Sequence, residues 1–179
     1  MTTTLDEGYP AQYESRLTLK NGREVFLRPV LQTDGALLID MFNKMSALSI
    51  FRRFLRRLNA LPEDLLYRFT HIDHERDFAL VAVVEEDGKD SIIAVARYAY
   101  DLDDDITDLG VAVRDDWQHL GLGRFLLVRV IEIGKEHGIS RFGSMMDPQN
   151  KIMRQMLLDL GLKVKYSPRS GFYQVEIIV

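Results

Sequence analysis

The chain has 179 residues, of which 46% are hydrophobic and 28% are charged, and its formal net charge is −4. A chain of this length and hydrophobic content folds as one domain and lies far from the composition of disordered segments. The negative charge excludes a general attraction to nucleic acid or anionic lipid, and the absence of cysteine excludes disulfides, thiolate metal sites and cysteine nucleophiles.

The first 14 residues are polar and rich in turn-forming residues. We predict that residues 1–14 form an arm and that the folded domain spans residues 15–179. The start of the chain lacks a basic segment followed by an apolar stretch, and no apolar run approaches the ~18 residues that cross a bilayer. These features predict a cytoplasmic protein with no membrane partner.

The first half of the domain opens with a hairpin and continues with helices. Residues 16–30 alternate around Asn21-Gly22, a dipeptide that favours a tight hairpin turn, and Pro29 ends the pairing. Apolar side chains then recur at helical spacing, and the acidic residues after Pro62 favour the start of a helix. The predicted helices cover residues 34–45, 50–55 and 62–70.

The second half alternates between strands and helices. Segments rich in β-branched residues flank the charged turn at residues 85–90, and helical periodicity begins after a glycine turn near residue 121. We predict strands at residues 78–84, 91–100, 106–114, 140–146, 162–166 and 172–179, with helices at residues 122–137 and 150–160. This order indicates one mixed α/β layer with crossover connections in its second half.

A turn between a strand and a helix carries the strongest functional signal. Residues 118–124 have the sequence Gln-His-Leu-Gly-Leu-Gly-Arg and follow an apolar strand. Glycines at a helix start let a phosphate approach the free backbone N–H groups, so this turn suits a pyrophosphate. Leu126 replaces the third glycine of a dinucleotide-binding turn, and no Gly-Lys-Ser/Thr follows as it does in ATP-binding loops. Both of those alternatives are therefore excluded.

The spacing Gln-x-x-Gly-x-Gly resembles the pyrophosphate-binding signature of the GNAT family of acetyl-CoA-dependent N-acetyltransferases. Asn150 at the start of the next helix, followed by Met153, resembles the second coenzyme A motif of that family. The segments 49–54 (SIFRRF), 70–73 (THID) and 107–113 (TDLGVAV) look like the acetyltransferase domain of Pat-type bacterial protein lysine acetyltransferases. The resemblance covers residues 9–179.

The resemblance implies the GNAT fold, which is a mixed, mostly antiparallel α/β sheet of about six to seven strands flanked by helices. It also implies acetyl-CoA as the acyl donor and no metal cofactor. Backbone groups near Val111 would pair with the pantetheine arm, and one N–H there would stabilise the oxyanion, which requires strand pairing broken as by a bulge. Gly110 would leave room for the thioester. The coenzyme-binding residues would be Val111, Ala112, Val113, Gln118, His119, Leu120, Gly121, Leu122, Gly123, Arg124, Asn150 and Met153.

Asp108 is the candidate catalytic base. A lysine amine has an ordinary pKa of about 10.4, so a proton acceptor accelerates its attack on the thioester. Asp108 occupies the position where Pat-like enzymes carry a glutamate, and its shorter side chain indicates a relaying water. Leu157 stands where many GNAT enzymes carry a tyrosine that protonates the leaving thiolate, so we assign no general acid.

We predict transfer of an acetyl group to a primary amine, with the ε-amine of a protein lysine as acceptor and a small-molecule amine as the alternative. The short side chain of Asp108 and the leucine at position 157 also leave open a non-catalytic acyl-CoA sensor. The chain would be a monomer, or a homodimer that pairs through its N-terminal arm or its last strand.

Two charged clusters have alternative interpretations. Arginines at residues 52, 53, 56 and 57 favour a solvated helix face over a nucleic-acid site, so we expect no nucleic-acid partner. The acidic residues within 101–105 would either attract a basic protein segment or form a solvated loop.

Overall fold

The computed structural model describes residues 8–179, and an eight-stranded sheet runs through them in the order β1-β2-β3-β4-β5-β6-β8-β7. The strands are β1 (Ser15–Thr18), β2 (Glu24–Pro29), β3 (Phe78–Glu86), β4 (Lys89–Asp101), β5 (Ile106–Val113), β6 (Arg141–Met146), β7 (Lys163–Arg169) and β8 (Phe172–Ile178). The helices are α1 (Gly35–Asn43), α2 (Ala47–Phe54), α3 (Glu63–Thr70), α4 (Leu122–Glu136) and α5 (Lys151–Asp159).

The predicted mixed, mostly antiparallel sheet is confirmed. Within the described chain, β5 and β6 form the parallel pair and the other neighbours are antiparallel. The sheet has eight strands where six to seven were expected, because both strands of the opening hairpin join its edge. The last strand, β8, lies between β6 and β7, so it is not an edge through which a second copy could pair.

The two faces of the sheet bury different side chains. One face packs against α4, whose Leu126, Val130 and Ile133 are buried in the larger core. The other face forms a smaller core with side chains of α1 and α3. Side chains along β5 alternate between these faces, with Leu109 on the α4 side and Ala112 on the opposite side. Residues 108, 110 and 112 therefore share the face that α1 to α3 cover.

The packed part of the chain begins before the predicted boundary at residue 15. Tyr13 is buried, its ring lies against Phe78, and its hydroxyl donates a hydrogen bond to Oε2 of Glu136 at 3.0 Å. The sequence analysis missed this contact because a single tyrosine among polar residues gives no periodic signal. The predicted arm of residues 1–14 therefore does not include Tyr13, which belongs to the packed domain. Residues 1–7 lie outside the described part of the chain.

A buried ion pair fixes the connection between β2 and α1. Arg28 donates two parallel hydrogen bonds to Asp34, at 2.7 and 2.8 Å, and both side chains are largely shielded from solvent. The Asp34 carboxylate also accepts from the backbone N–H of Leu31 at 2.8 Å. This connection places α1 over the face of the sheet that carries residues 108, 110 and 112.

Asp34→Ala is expected to lower the free energy of unfolding by about 3–5 kcal/mol, because it leaves the Arg28 charge buried without a partner. Asp40→Ala is the matched control, since Asp40 pairs with Lys44 on the exposed surface, where an ion pair contributes little to the free energy of unfolding. Urea unfolding of the three proteins checks the difference. Equal losses in both variants would contradict this role of Asp34.

Candidate active site

A gap opens in the sheet between β5 and β6. These strands pair only at Thr107 with Phe142 and at Asp108 with Gly143. Beyond those positions β5 stays paired with β4, and β6 stays paired with β8 along its full length. The backbone edge of residues 109–113 is therefore without a strand partner on the β6 side.

The backbone groups that face this gap follow from the alternation along β5. Arg114 donates its N–H to Ile93 of β4, whereas the Val113 carbonyl accepts from the Gln118 side chain on the other side. Because successive residues point to opposite edges, the N–H and C=O groups of Val111 and Leu109 face the gap. The expected break in pairing is present, but it comes from divergence of β5 and β6. The β4–β5 register is continuous and contains no bulge.

A cleft of about 1020 Å³ occupies the gap and continues to the start of α4 and α5. Its volume is at the upper end of the range for ligand sites. Of the predicted coenzyme residues, Val111, Ala112, Val113, Gln118, His119, Gly121, Gly123, Arg124, Asn150 and Met153 line it. Leu120 and Leu122 do not, because their side chains pack into the core on the α4 side.

The glycine turn at the start of α4 has the backbone shape that phosphate approach requires. Gly121 has φ +87° and lies immediately before the helix. A Cβ at Gly123 would lie 3.2 Å from Cγ2 of Val113, so this glycine allows close packing of α4 on β5. The first turn of α4 leaves backbone N–H groups without intrahelical acceptors, at the positive end of the helix dipole. These groups border the cleft.

Buried contacts hold the segment that leads into this turn. Arg114 donates to Glu86 at 2.5 Å and to Asp116 at 2.7 Å. The hydrogen bond from Arg114 lowers the pKa of Glu86 to about 2, so this pair stays ionised at neutral pH. Trp117 is buried, and the guanidinium of Arg23 stacks on its ring at 3.5 Å. Trp117 therefore packs beside the turn.

The same segment is tied to α2. The Asp115 carboxylate accepts hydrogen bonds from the backbone N–H of Ser46 at 2.8 Å, from its hydroxyl at 2.7 Å and from the Ser49 hydroxyl at 2.8 Å. Nε2 of Gln118 donates to the Val113 carbonyl at 2.9 Å and to the Ser49 hydroxyl at 3.2 Å. Gln118, predicted as a coenzyme ligand, thus uses its amide hydrogens to join β5 and α2.

Asn150 also has a structural role beside its position in the cleft. Its side-chain oxygen accepts from the backbone N–H of Met153 at 3.2 Å and so caps the start of α5. The cap fixes the end of α5 that faces the glycine turn.

Asp108 lies where the gap begins, on the cleft wall. Solvent reaches its carboxylate, although protein atoms surround it on most sides. Burial within these walls raises the pKa of Asp108 above its usual value, and the positive charges of Arg53 and Arg97 oppose that rise. A carboxylate with a raised pKa is a stronger base than an ordinary aspartate.

The space beside Gly110 is not free, contrary to expectation. A Cβ at this position would lie 2.8 Å from the guanidinium carbon of Arg53, which reaches over the strand from α2. Arg53 was predicted on a solvated helix face, but its side chain covers Gly110 instead. Arg56 and Arg57 are exposed, although they follow the end of α2 rather than lying on it. Helical spacing alone cannot tell which of these arginines is buried and which is exposed, because that depends on where the helix ends. Here α2 ends at Phe54, and the chain turns away with Leu55 at φ +53°.

Cations from outside the motifs also line the cleft, and the sequence pattern gave no sign of them. Lys20 reaches the glycine turn from the β1–β2 hairpin, with its Cε 3.5 Å from a Cβ built at Gly121. Arg52 and Lys151 contribute from α2 and α5. Only the three-dimensional arrangement brings these charges together. They give the end of the cleft beside the glycine turn a positive lining, which suits a polyanionic ligand.

Within residues 8–179, no cluster of three or more histidine and acidic side chains is arranged to hold a metal ion. In the same part of the chain, no helix combines the length and hydropathy needed to span a membrane.

Comparison with known proteins agrees with this geometry. Residues 46–162 match the model of the acetyltransferase (GNAT) family. The chain is 28% identical over 151 residues to acetyltransferase PA5475 of Pseudomonas aeruginosa, covering 84% of this chain and 81% of that protein. It is 27% identical over 146 residues to acetyltransferase Pat of Mycolicibacterium smegmatis, covering 80% of this chain and 42% of that protein. The crystal structure of the GNAT domain of S. lividans PAT superposes with a TM-score of 0.85 at 26% identity, covering 96% of this chain and 99% of that one.

The chain therefore belongs to the GNAT acetyltransferase family, whose members use acetyl-CoA as the acyl donor. Within that family it is similar to Pat-type acetyltransferase domains. The chain spans less than half the length of the M. smegmatis protein.

Gly121→Ala is expected to weaken acetyl-CoA binding, because the turn must shift to relieve the strained φ angle of the alanine. We expect affinity to fall about tenfold or more, which corresponds to the loss of one hydrogen bond to a charged group. Gly138→Ala is the matched control. It has φ +83° at the other end of α4 and open space around it, so the backbone strain of about 1–2 kcal/mol is similar. Calorimetric titration with acetyl-CoA separates the two variants. Equal affinities in both variants would exclude a coenzyme role for the turn.

Proposed function

We propose that this protein transfers an acetyl group from acetyl-CoA to a primary amine by direct attack within a ternary complex. The observation that carries the proposal is the open backbone edge of β5. It lies between a glycine turn with free N–H groups and a carboxylate that is positioned to accept a proton. Together these features meet the three needs of acyl transfer to an amine, which are orientation, deprotonation and oxyanion stabilisation.

In this proposal the donor lies along the gap. Pantetheine amides pair with the backbone of Val111, and the pyrophosphate rests on the turn of residues 119–124, with Lys20 and Arg52 nearby. Asn150 and Met153 line the side of the cleft formed by α5. Gln118 acts by holding β5 against α2.

The chemical step uses few protein groups. Asp108 accepts a proton from the ammonium group, directly or through a water. The neutral nitrogen attacks the thioester carbon and forms the C–N bond, and another backbone N–H near Val111 on the open edge of β5 donates to the oxyanion. The tetrahedral intermediate collapses with cleavage of the C–S bond, and the nitrogen gives its second proton to a water molecule. Water delivers a proton to the coenzyme A thiolate, since Leu157 is a buried aliphatic side chain that cannot supply one.

The acceptor that we propose is the ε-amine of a protein lysine. Its support is the similarity to Pat-type domains and an acidic β4–β5 turn close to Asp108, in which Asp103 and Asp105 are exposed. Such a turn attracts a basic segment. Because acetyl-CoA is available in the cytoplasm, we place the reaction there.

A small-molecule amine is the second candidate, and one observation favours it. The cations Arg53 and Arg97 lie beside Asp108, at the end of the cleft where the acceptor amine must arrive. A lysine side chain brings no negative charge to this end.

Asp108→Asn is expected to lower kcat/KM for amine acetylation by about 100-fold or more, because the amide accepts no proton. Asp108→Glu is expected to retain activity, since the longer side chain reaches the amine without a water. In the wild type, we expect activity to fall as the pH is lowered through the pKa of Asp108, because the protonated carboxyl cannot accept a proton. This fall lies at a higher pH than the ordinary pKa of an aspartate, because the pKa of Asp108 is raised.

The assay uses radiolabelled acetyl-CoA with an extract that contains proteins and, separately, a pool of small amines. Asp90→Asn, an exposed carboxylate on β4, is the control. Label in protein lysines supports the first acceptor, and label confined to small amines supports the second. Equal rates for Asp108→Asn and wild type would remove Asp108 as the base.

A further inference from the structure

Two arginine side chains near Asp108 have no carboxylate partner within ion-pair distance. The guanidinium groups of Arg53 and Arg97 make no hydrogen bond or ion pair with any residue in the described chain. The other buried arginines, Arg28 and Arg114, are each paired with acidic side chains. Arg97 is only 8% exposed. An unpaired buried charge is costly, so this arrangement requires an explanation.

The register of the sheet brings the two arginines together. Arg97 on β4 stands directly opposite Gly110 on β5, and the guanidinium of Arg53 lies over Gly110. Asp108 is on the same face of β5, two residues away. One carboxylate and two guanidinium groups therefore share one patch of the sheet.

The two cations repel each other and are only partly compensated. Burial and the positive charge of Arg53 lower the pKa of Arg97 to about 10. Phe69 offers its ring face to both guanidinium groups, with centroid distances of 4.7 Å to Arg97 and 6.0 Å to Arg53. Such contacts are weaker than an ion pair in the same surroundings.

A small cavity joins these side chains. It has a volume of about 50 Å³, is lined in part by α1 and α3, and shares Met45, Arg53 and Ala112 with the lining of the main cleft. Arg53 and Arg97 line it, and the other lining residues are apolar, among them Met45, Phe69 and Ala112. Because one water molecule needs roughly 10–15 Å³ of such volume, a cavity of this size holds about three or four non-hydrogen atoms. Its apolar walls strengthen any charge interaction inside it.

We propose that Arg53 and Arg97 form a carboxylate subsite, so that the acceptor carries a carboxylate in the same molecule as the reacting amine. This inference rests on the proposed amine acetylation. Of the two candidate acceptors it selects the small-molecule amine, in the form of a free amino acid, over the lysine of a protein. Asp108 takes the proton of the ammonium group while the two guanidinium groups hold the carboxylate. The patch of one negative and two positive groups is thus complementary to a zwitterion.

Release of coenzyme A thiol, measured with a chromogenic disulfide, tests this subsite. The chain contains no cysteine, so the protein adds no background signal. Acetyl-CoA is supplied with free L-amino acids, with the corresponding amino acid amides or with lysine-containing peptides. We expect kcat/KM for the preferred amino acids to exceed that for their amides by about 10- to 100-fold, the range for a hydrogen bond to a charged group.

Arg53→Gln and Arg97→Gln are expected to remove this preference while acetyl-CoA still raises the unfolding temperature of each variant. Arg57→Gln, an exposed arginine just after α2, is the matched control and should keep the preference. If Arg97→Gln does not fold, Arg53→Gln decides the question, because its side chain is partly exposed.

Three results would overturn the inference in different ways. Equal rates with amino acids and amides, or a preference for lysine peptides, would remove the subsite and leave amine acetylation intact. A preference for succinyl-CoA over acetyl-CoA that Arg53→Gln abolishes would assign the carboxylate to the donor. No thiol release with any amine would reject the proposed function itself.

Discussion

The site depends on the loss of pairing between β5 and β6. The two strands are held together only at Thr107–Phe142 and Asp108–Gly143, and each then follows its other neighbour, β4 or β8. Unpaired backbone N–H and C=O groups are unfavourable unless a ligand or water satisfies them. The open edge of β5 is therefore a ready partner for the amide groups of an extended arm, in the manner of an added strand. The cleft, the position of Asp108 and the orientation of Val111 all follow from this divergence.

Hydrogen bonds and one short helix connect the two ends of the cleft, which lie at the glycine turn and at Asp108. Asp115 and Gln118, next to the glycine turn, hold Ser46 and Ser49 at the start of α2. The same helix carries Arg53 to the face of β5 beside Asp108. A shift of the turn on coenzyme binding would therefore be transmitted to the acceptor end through one short helix. One of these hydrogen bonds comes from Gln118 of the family signature, which therefore has a role in addition to any coenzyme contact.

The sequence predicted the elements better than it predicted the site. Periodicity and turn residues located all five helices and the strands of the described chain, since these depend on local pattern. The glycine turn was recognisable because its chemistry lies within seven consecutive residues. Arg53 beside Gly110 and Arg97 opposite it were missed, because their meeting depends on strand register and on where α2 ends. The buried contact of Tyr13 was missed for the same reason, since its partners lie far away in the sequence.

Residue-resolved hydrogen exchange, with and without saturating coenzyme A, shows whether the pantetheine arm pairs with β5. The backbone N–H of Val111 faces the gap, whereas that of Gly110 points toward β4. We expect exchange at Val111 to be fast in the free protein and to slow at least about tenfold when the pantetheine arm pairs with it, while Gly110 is protected in both states. Exchange at Val111 that stays fast at saturation would contradict the placement of the donor along β5.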